Sequence, residues 1–238
     1  MRPYIHDFAI CYLDDILIYW YNEKKHNEQV QKVLERLTKL GLYCKPNKCQ
    51  FGVSEVGFLG FVISSEGVGI ESDRISTIEA WPTPKSVQDV QVLLGFANFY
   101  RRFFRKYAKV TLPLTELLKS RACGGKKSSR FSGEATTRSQ PITHKREWNR
   151  EAQHAFQKLK MAFTEAPILQ NFDLAKPIIL QTDASGFAVA DILNQYDGFG
   201  TLRPVNFYSR KCISAEQNDD PYDRKLQVIV ETMKQWRH

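Results

Sequence analysis

Two adjacent aspartates, Asp14 and Asp15, follow Tyr12-Leu13 and sit between the apolar runs Phe8-Ala9-Ile10-Cys11 and Ile16-Leu17-Ile18-Tyr19. Neighbouring carboxylates repel, and an apolar setting screens them poorly, so a divalent cation is what offsets their repulsion. Their hard oxygens suit Mg²⁺, which usually takes one or two protein carboxylates and completes its shell with water and substrate phosphates. The plainer alternative is an ordinary hairpin turn, where aspartate is common. The flanking runs, rich in Ile and aromatics, predict two short buried strands joined at that turn. Under either reading both carboxylates stand at one hairpin tip.

The remaining reactive side chains point elsewhere. Cys11, Cys44, Cys49, Cys123 and Cys212 form an odd set without a CxxC pair. Cys44 and Cys49 have no His or Cys pair following at zinc spacing. Buried or partly buried free thiols in a reducing compartment are expected. The composition, 42% hydrophobic and 25% charged in 238 residues, is that of a soluble globular protein with one large core or two smaller ones. No apolar run reaches the roughly 18 residues needed to cross a bilayer. The N-terminus carries no secretory pattern. These features predict an intracellular protein, cytoplasmic or nuclear, that is neither secreted nor membrane-bound.

Several elements must position the carboxylates and whatever they act on. An amphipathic helix opens at His26, presents Val30, Val33, Leu34, Leu37 and Leu40 at three-to-four spacing and closes at Gly41. Such a stripe is a packing face. Trp81-Pro82-Thr83-Pro84 is a rigid break. Beyond it Lys85, Arg101, Arg102, Arg105, Lys106, Lys109 and Lys119 outnumber Asp89 and Glu116, interleaved with Phe99, Tyr100, Phe103, Phe104 and Tyr107 on an expected helix. An ordered basic face suits duplex phosphates, and a solvated helix face is the alternative. The chain's net charge is +8, but most of it falls in residues 121–147, which are rich in Ser, Thr, Gly and Lys and lack apolar periodicity. That stretch reads as a disordered basic linker or insertion. Further on, strands are expected over 177–182, ending at Asp183, over 187–195 and over 205–209, then a partly helical segment over 215–236.

Read together, these segments resemble a known family. Tyr12-Leu13-Asp14-Asp15 followed by Ile16-Leu17-Ile18-Tyr19 is similar to motif C of retroviral-type reverse transcriptases. Gly41-Leu42-Tyr43-Cys44-Lys45-Pro46-Asn47-Lys48-Cys49-Gln50-Phe51 resembles motif D. Val56-Gly57-Phe58-Leu59-Gly60-Phe61-Val62-Ile63-Ser64 resembles the primer-grip hairpin, motif E. Their order and spacing resemble gypsy-type LTR retrotransposon polyproteins. Val92-Leu93-Leu94-Gly95-Phe96-Ala97-Asn98-Phe99-Tyr100-Arg101-Arg102-Phe103 is similar to the thumb region. Gln181-Thr182-Asp183-Ala184-Ser185 and Phe207-Tyr208-Ser209-Arg210-Lys211 resemble the start of the ribonuclease H domain.

The resemblance implies an α+β fold: a partial polymerase palm over 1–80, a helical thumb-like region over 81–120, the linker over 121–147 and an incomplete ribonuclease H-like α/β domain over 148–238. It implies RNA-directed DNA polymerase chemistry, a two-metal nucleotidyl transfer with Mg²⁺ or Mn²⁺ on an RNA–DNA or DNA primer-template. Asp14 is then a metal ligand, Asp15 an accessory ligand, Tyr12 a residue near the primer end and Lys48 a proton donor to departing pyrophosphate, with an exposed lysine as the plain alternative. Phe58, Leu59 and Gly60 shape the primer grip, Arg101, Arg102 and Arg105 hold duplex phosphates, and Asp183 is the first ribonuclease H acid.

Three departures qualify what the resemblance implies. The family's third polymerase aspartate precedes motif C, whereas this chain begins shortly before it, so the chain alone is expected to be inactive unless an upstream polymerase fragment completes it. The second ribonuclease H acid, a glutamate, falls at Lys225, although Asp223 is a candidate substitute, and the chain stops at His238 before the remaining acids. No ribonuclease H activity is therefore expected. Asp191 replaces a small apolar residue in mid-strand; buried and unpaired, it destabilises or titrates to neutrality. The competing reading is a non-catalytic nucleic-acid-binding remnant or a degenerate gene product.

Overall fold

The computed structural model describes residues 3–5, 7–20, 23–118, 148–185, 187–213, 216 and 220–237. The expected linker and Cys123 lie outside them. The chain divides into two compact units, Met1–Ser65 and Glu66–His238. The 81–120 helices share the second unit with residues 148–238 and are not a separate body.

The first unit is built from two hairpins and a helix. Strands β1 (Ala9–Tyr12) and β2 (Asp15–Ile18) pair antiparallel, with Tyr12 opposite Asp15. Helix α1 (Glu23–Lys39) lays Val33 and Leu37 over Phe8 and Ala9, and Tyr4, Ile16 and Ile18 close this core. The stripe is narrower than its spacing suggests, because Leu34 and Leu40 are exposed. Gly41 ends the helix at φ 68°, the left-handed conformation that glycine adopts without strain. His26 lies inside the helix, not at its start, and is buried with its ring 3.8 Å from that of Trp20. Burial lowers its pKa, which favours the neutral ring. Strands β3 (Glu55–Phe58) and β4 (Phe61–Ser64) form the second hairpin.

The second unit opens with β5 (Val68–Ile70) and α2 (Ser72–Glu79). Helix α3 (Val87–Phe99) starts at a capping box, in which the Ser86 hydroxyl accepts the Asp89 N–H while Asp89 accepts the Ser86 N–H. Short helices α4 (Tyr107–Val110) and α5 (Leu112–Glu116) follow. Helix α6 (Arg150–Thr164) buries Ala152, Ala155, Phe156, Leu159 and Phe163. Phe163 is the centre of an aromatic core, its ring 4.6 Å from Phe104, 5.6 Å from Tyr100 and 5.8 Å from Phe96. The Lys160 ammonium donates to the carbonyls of Glu79 and Trp81, satisfying acceptors at the end of α2. Strands β6 (Ile179–Ala184), β7 (Ala188–Tyr196) and β8 (Leu202–Lys211) make an antiparallel sheet with β7 central. Helix α7 (Pro221–Gln235) packs on β6 and β7. With neighbours on both edges and a helix on one face, all of β7 except Tyr196 is buried.

Three expectations change. The stretch from Phe99 to Tyr107 is not one helix: α3 ends at Phe99, Arg101–Phe103 form a 3₁₀ turn and Lys106 turns left-handed at φ 58°. Tyr100, Phe103, Phe104 and Tyr107 are all buried, as their i, i+3, i+4 and i+7 spacing would also allow on one face of a straight helix, so the break is not dictated by that pattern. The two apolar runs around the aspartates are only partly buried, Ile10 being 45% exposed. Cys44 is exposed, whereas Cys11 and Cys49 are half-buried and Cys212 is buried.

Candidate functional site

The aspartate pair stands at the expected hairpin tip, but only Asp14 is in the turn; Asp15 opens β2 opposite Tyr12. Leu13 and Asp14 form a two-residue turn, and Leu13 takes φ 51° because tight hairpins need positive φ at the turn. A leucine there is strained and 85% exposed, an unusual use of an apolar residue at a tip that also carries two exposed carboxylates. Tyr12 is exposed beside them. As donors, Asp14 and Asp15 fit a hard divalent cation. Among the described residues neither has an ion-pair partner, and no third His, Cys, Asp or Glu joins them in a cluster able to hold a metal.

The other first-unit residues also fall at turns. Leu59 and Gly60 are the central residues between β3 and β4, at φ 54° and 84°, flanked by the pair Phe58 and Phe61. Two consecutive positive φ values mark the tight turn that matches strand twist. Phe58 and Leu59 are half-buried and Gly60 is buried. Lys48 is exposed at the end of the 3₁₀ turn Pro46–Lys48, its backbone N–H donating to the Lys45 carbonyl.

In the second unit Arg101, Arg102 and Arg105 do not share one face. Arg101 and Arg105 are exposed, whereas Arg102 is half-buried with its guanidinium near the Phe103 ring and its Nε without a partner. Burial lowers the pKa of Arg102 from its ordinary value. Asp183, on β6 opposite Ala190, carries the ammonium of Lys106 on its carboxylate. The cation comes from the left-handed residue between the 3₁₀ turn and α4, so a backbone irregularity aims it. Lys225 and Asp223 are both exposed on α7. An acid already paired with an ammonium does not fit a divalent metal site.

Asp191 is 1% exposed in the middle of β7 and neither carboxylate oxygen has a hydrogen-bonding partner. Burial raises its pKa, and the Thr232 hydroxyl and Trp236 indole on the α7 side pull more weakly in the opposite direction. Neither of those groups has a well-formed partner of its own. Nearby, Arg210 on β8 makes a two-pronged ion pair with buried Glu216, each contact 2.8 Å. Glu216 also accepts from the Ile213 N–H and the Gln227 amide. Arg210 lowers the Glu216 pKa, and Glu216 in turn raises that of Arg210.

Residues 1–63 match the family described as reverse transcriptase (RNA-dependent DNA polymerase), and residues 148–238 match the RNase H-like domain found in reverse transcriptase. The Tf2-3 and Tf2-4 transposon polyproteins of Schizosaccharomyces pombe are each 32% identical over 97% of this chain. The chain belongs to the reverse transcriptase family. It is a reverse transcriptase and RNase H-like region of retrotransposon-polyprotein type, and it spans 16% of the length of those relatives. Its fold is similar to that of a foamy viral protease-reverse transcriptase solved with an RNA/DNA hybrid, at TM-score 0.74 and 22% identity, covering 95% of this chain and 28% of that one. A second such structure, solved with double-stranded DNA, matches at TM-score 0.75 and 22% identity, covering 95% of this chain and 36% of that one. No described helix is long and apolar enough to cross a membrane.

Sequence reasoning placed the turn residues of this reverse transcriptase region and missed two features of its second unit. Lys106 appeared only as one of a run of cations, because nothing local marks a lysine for the left-handed conformation. His154 and Lys158, with Glu151, share one face of α6 at three-to-four spacing, a signal legible in the sequence. They line a cavity together with Arg105, Lys106 and Lys109.

Proposed function

We propose that this chain contributes the motif C hairpin and the primer-grip hairpin of a gypsy-type reverse transcriptase that copies an RNA or DNA template from a primer. The observation that carries the reading is the Asp14-Asp15 tip, two exposed carboxylates at a strained two-residue turn. In nucleotidyl transfer, Mg²⁺ or Mn²⁺ stabilises charge on the attacking and departing oxygens. Asp14 and Asp15 would hold the ions, Tyr12 would pack near the primer end, Lys48 would protonate pyrophosphate, and Phe58, Leu59 and Gly60 would seat the primer. Arg101 and Arg105, both exposed, would contact duplex phosphates in a sequence-independent way, with Arg102 supporting that segment from a half-buried position.

Primer extension with Mg²⁺ tests the reading, using the chain alone and mixed with an upstream fingers-palm segment that carries the family's remaining aspartate. Extension by the mixture, lost in Asp14→Asn, is the expected result. Salt-sensitive duplex binding with no extension in either arrangement would sink it.

A second reading applies to residues 148–238, where the Lys106 ammonium lies on Asp183 and Lys225 stands at the matching acid position. This portion acts as a non-catalytic support for nucleic acid rather than as a nuclease. RNA–DNA hybrid cleavage with Mg²⁺ or Mn²⁺ that Asp183→Asn abolishes would refute that role.

A further inference from the structure

A cavity of about 620 Å³ in the second unit is lined by Arg105, Lys106 and Lys109 around α4 and by Glu151, His154 and Lys158 of α6. Four permanent cations face one carboxylate. Lys106 already has a partner in Asp183, outside the cavity lining. Among the described residues Arg105, Lys109 and Lys158 have no ion pair. The backbone delivers these charges from two directions: α6 repeats its residues on one face, while the left-handed turn at Lys106 brings α4 round beside it. Like charges around a concavity raise each other's free energy, and a bound anion relieves that repulsion.

The character of the lining narrows the anion. Arg105 offers a planar fork suited to two oxygens at once, whereas lysines act as point charges. Three unpaired cations exceed what a single carboxylate can neutralise, and they match an anion bearing two or more charges on tetrahedral oxygens. Pro113, Val110 and Ala155 complete the wall with an apolar side.

We propose that this cavity is a phosphate-binding site, taking clustered phosphate groups through Arg105, Lys109 and Lys158, with Lys106 shared between the cavity and Asp183. The phosphates come either from a free polyphosphate or nucleotide or from the backbone of a nucleic-acid strand. The site shares Arg105 with the proposed duplex contacts and rests on that part of the reading, but none of its residues belongs to the Asp14-Asp15 hairpin. Lys106 sets a link between the two neighbouring sites. A phosphate that draws its ammonium inward weakens the hold on Asp183, and that coupling is reciprocal.

The test is calorimetric titration of the full chain with inorganic pyrophosphate in metal-free buffer. Saturable binding is expected. Arg105→Ala and Lys158→Ala, which lie on opposite walls, should each weaken it about tenfold, the effect of losing one charge-assisted contact. Glu151→Gln should tighten it, and Lys176→Ala, outside the cavity, should leave it unchanged. Thermal melts without ligand confirm that the variants stay folded, which the exposed side chains of Arg105, Glu151 and Lys158 favour. A short duplex that displaces pyrophosphate identifies backbone phosphate as the source, and one that does not identifies a free polyphosphate. Absence of pyrophosphate binding, equal binding by the cavity variants, or preference for a glutamate-rich peptide over pyrophosphate overturns the proposal.

Discussion

Replacing Asp191 by alanine is expected to stabilise this protein, an uncommon outcome for a fully buried position. The carboxyl is 1% exposed on the central strand, both oxygens lack partners, and burial raises its pKa. An unsatisfied buried polar group costs roughly 1–3 kcal/mol, more if charged. Truncation to alanine gives back about 1 kcal/mol of packing. The net gain near neutral pH is then about 0–2 kcal/mol for the neutral carboxyl and more for the charged one, and a gain of about 2 kcal/mol is about 4–8 °C in melting temperature for a unit of this size. The sign with pH follows from the raised folded-state pKa. The protonated carboxyl contributes fully below the unfolded-state value of 3.8, and that contribution is lost as pH rises through the folded-state value. The advantage of Asp191→Ala should therefore be smallest in acid and grow toward neutrality, and Asp191→Asn should flatten the same pH dependence. Urea unfolding followed by circular dichroism at about pH 4 and about pH 7.5 measures both quantities through the linkage relation. A variant that is less stable than the parent near neutrality, or a parent–variant difference that does not change with pH, would refute the argument.

Two further outcomes follow from the second unit. Gly67 takes φ 145°, and a Cβ there would run into the Leu169 carbonyl, where Val68 and Leu169 exchange backbone hydrogen bonds of 2.8 and 2.9 Å; Gly67→Ala should cost at least about 2 kcal/mol in urea unfolding, and a neutral result would mean this bridge does not hold the two segments. Glu216→Ala leaves Arg210, among the described residues, with the longer contact to Glu231 at 3.7 Å and a bond to the Lys211 carbonyl at 3.3 Å and should destabilise by about 3 kcal/mol. Because Arg210 holds the Glu216 pKa below its ordinary 4.5, the parent's advantage should be complete above that value and fade as pH falls through the folded-state pKa, which melts across the acid range would show.

The first hairpin was legible because local rules fix it. Apolar runs around Asp14-Asp15 predict a hairpin there, and the structure puts its turn at Leu13-Asp14; the hairpin with Leu59-Gly60 at its turn follows the family resemblance. The strand of Asp183, the buried strand after it and the helix carrying Lys225 also stand close to where alternation and the family pattern put them. The basic aromatic segment carries a 3₁₀ turn and a left-handed residue where its spacing predicts one helix; Tyr100, Phe103, Phe104 and Tyr107 are buried as they would be on one helical face, and no residue type there marks the break.

The sequence by itself determined which residue types meet at the turns, the antiparallel pairing around them and the family they belong to, since those depend on spacings of a few residues. Only the tertiary structure decided that Lys106 lies on Asp183, that Arg102 is drawn inward, that Asp191 is enclosed without a partner and that cations from α4 and α6 surround one cavity. Each of those depends on where a side chain ends up relative to residues tens of positions away. That placement is set by how the core closes, and short-range spacing does not encode it.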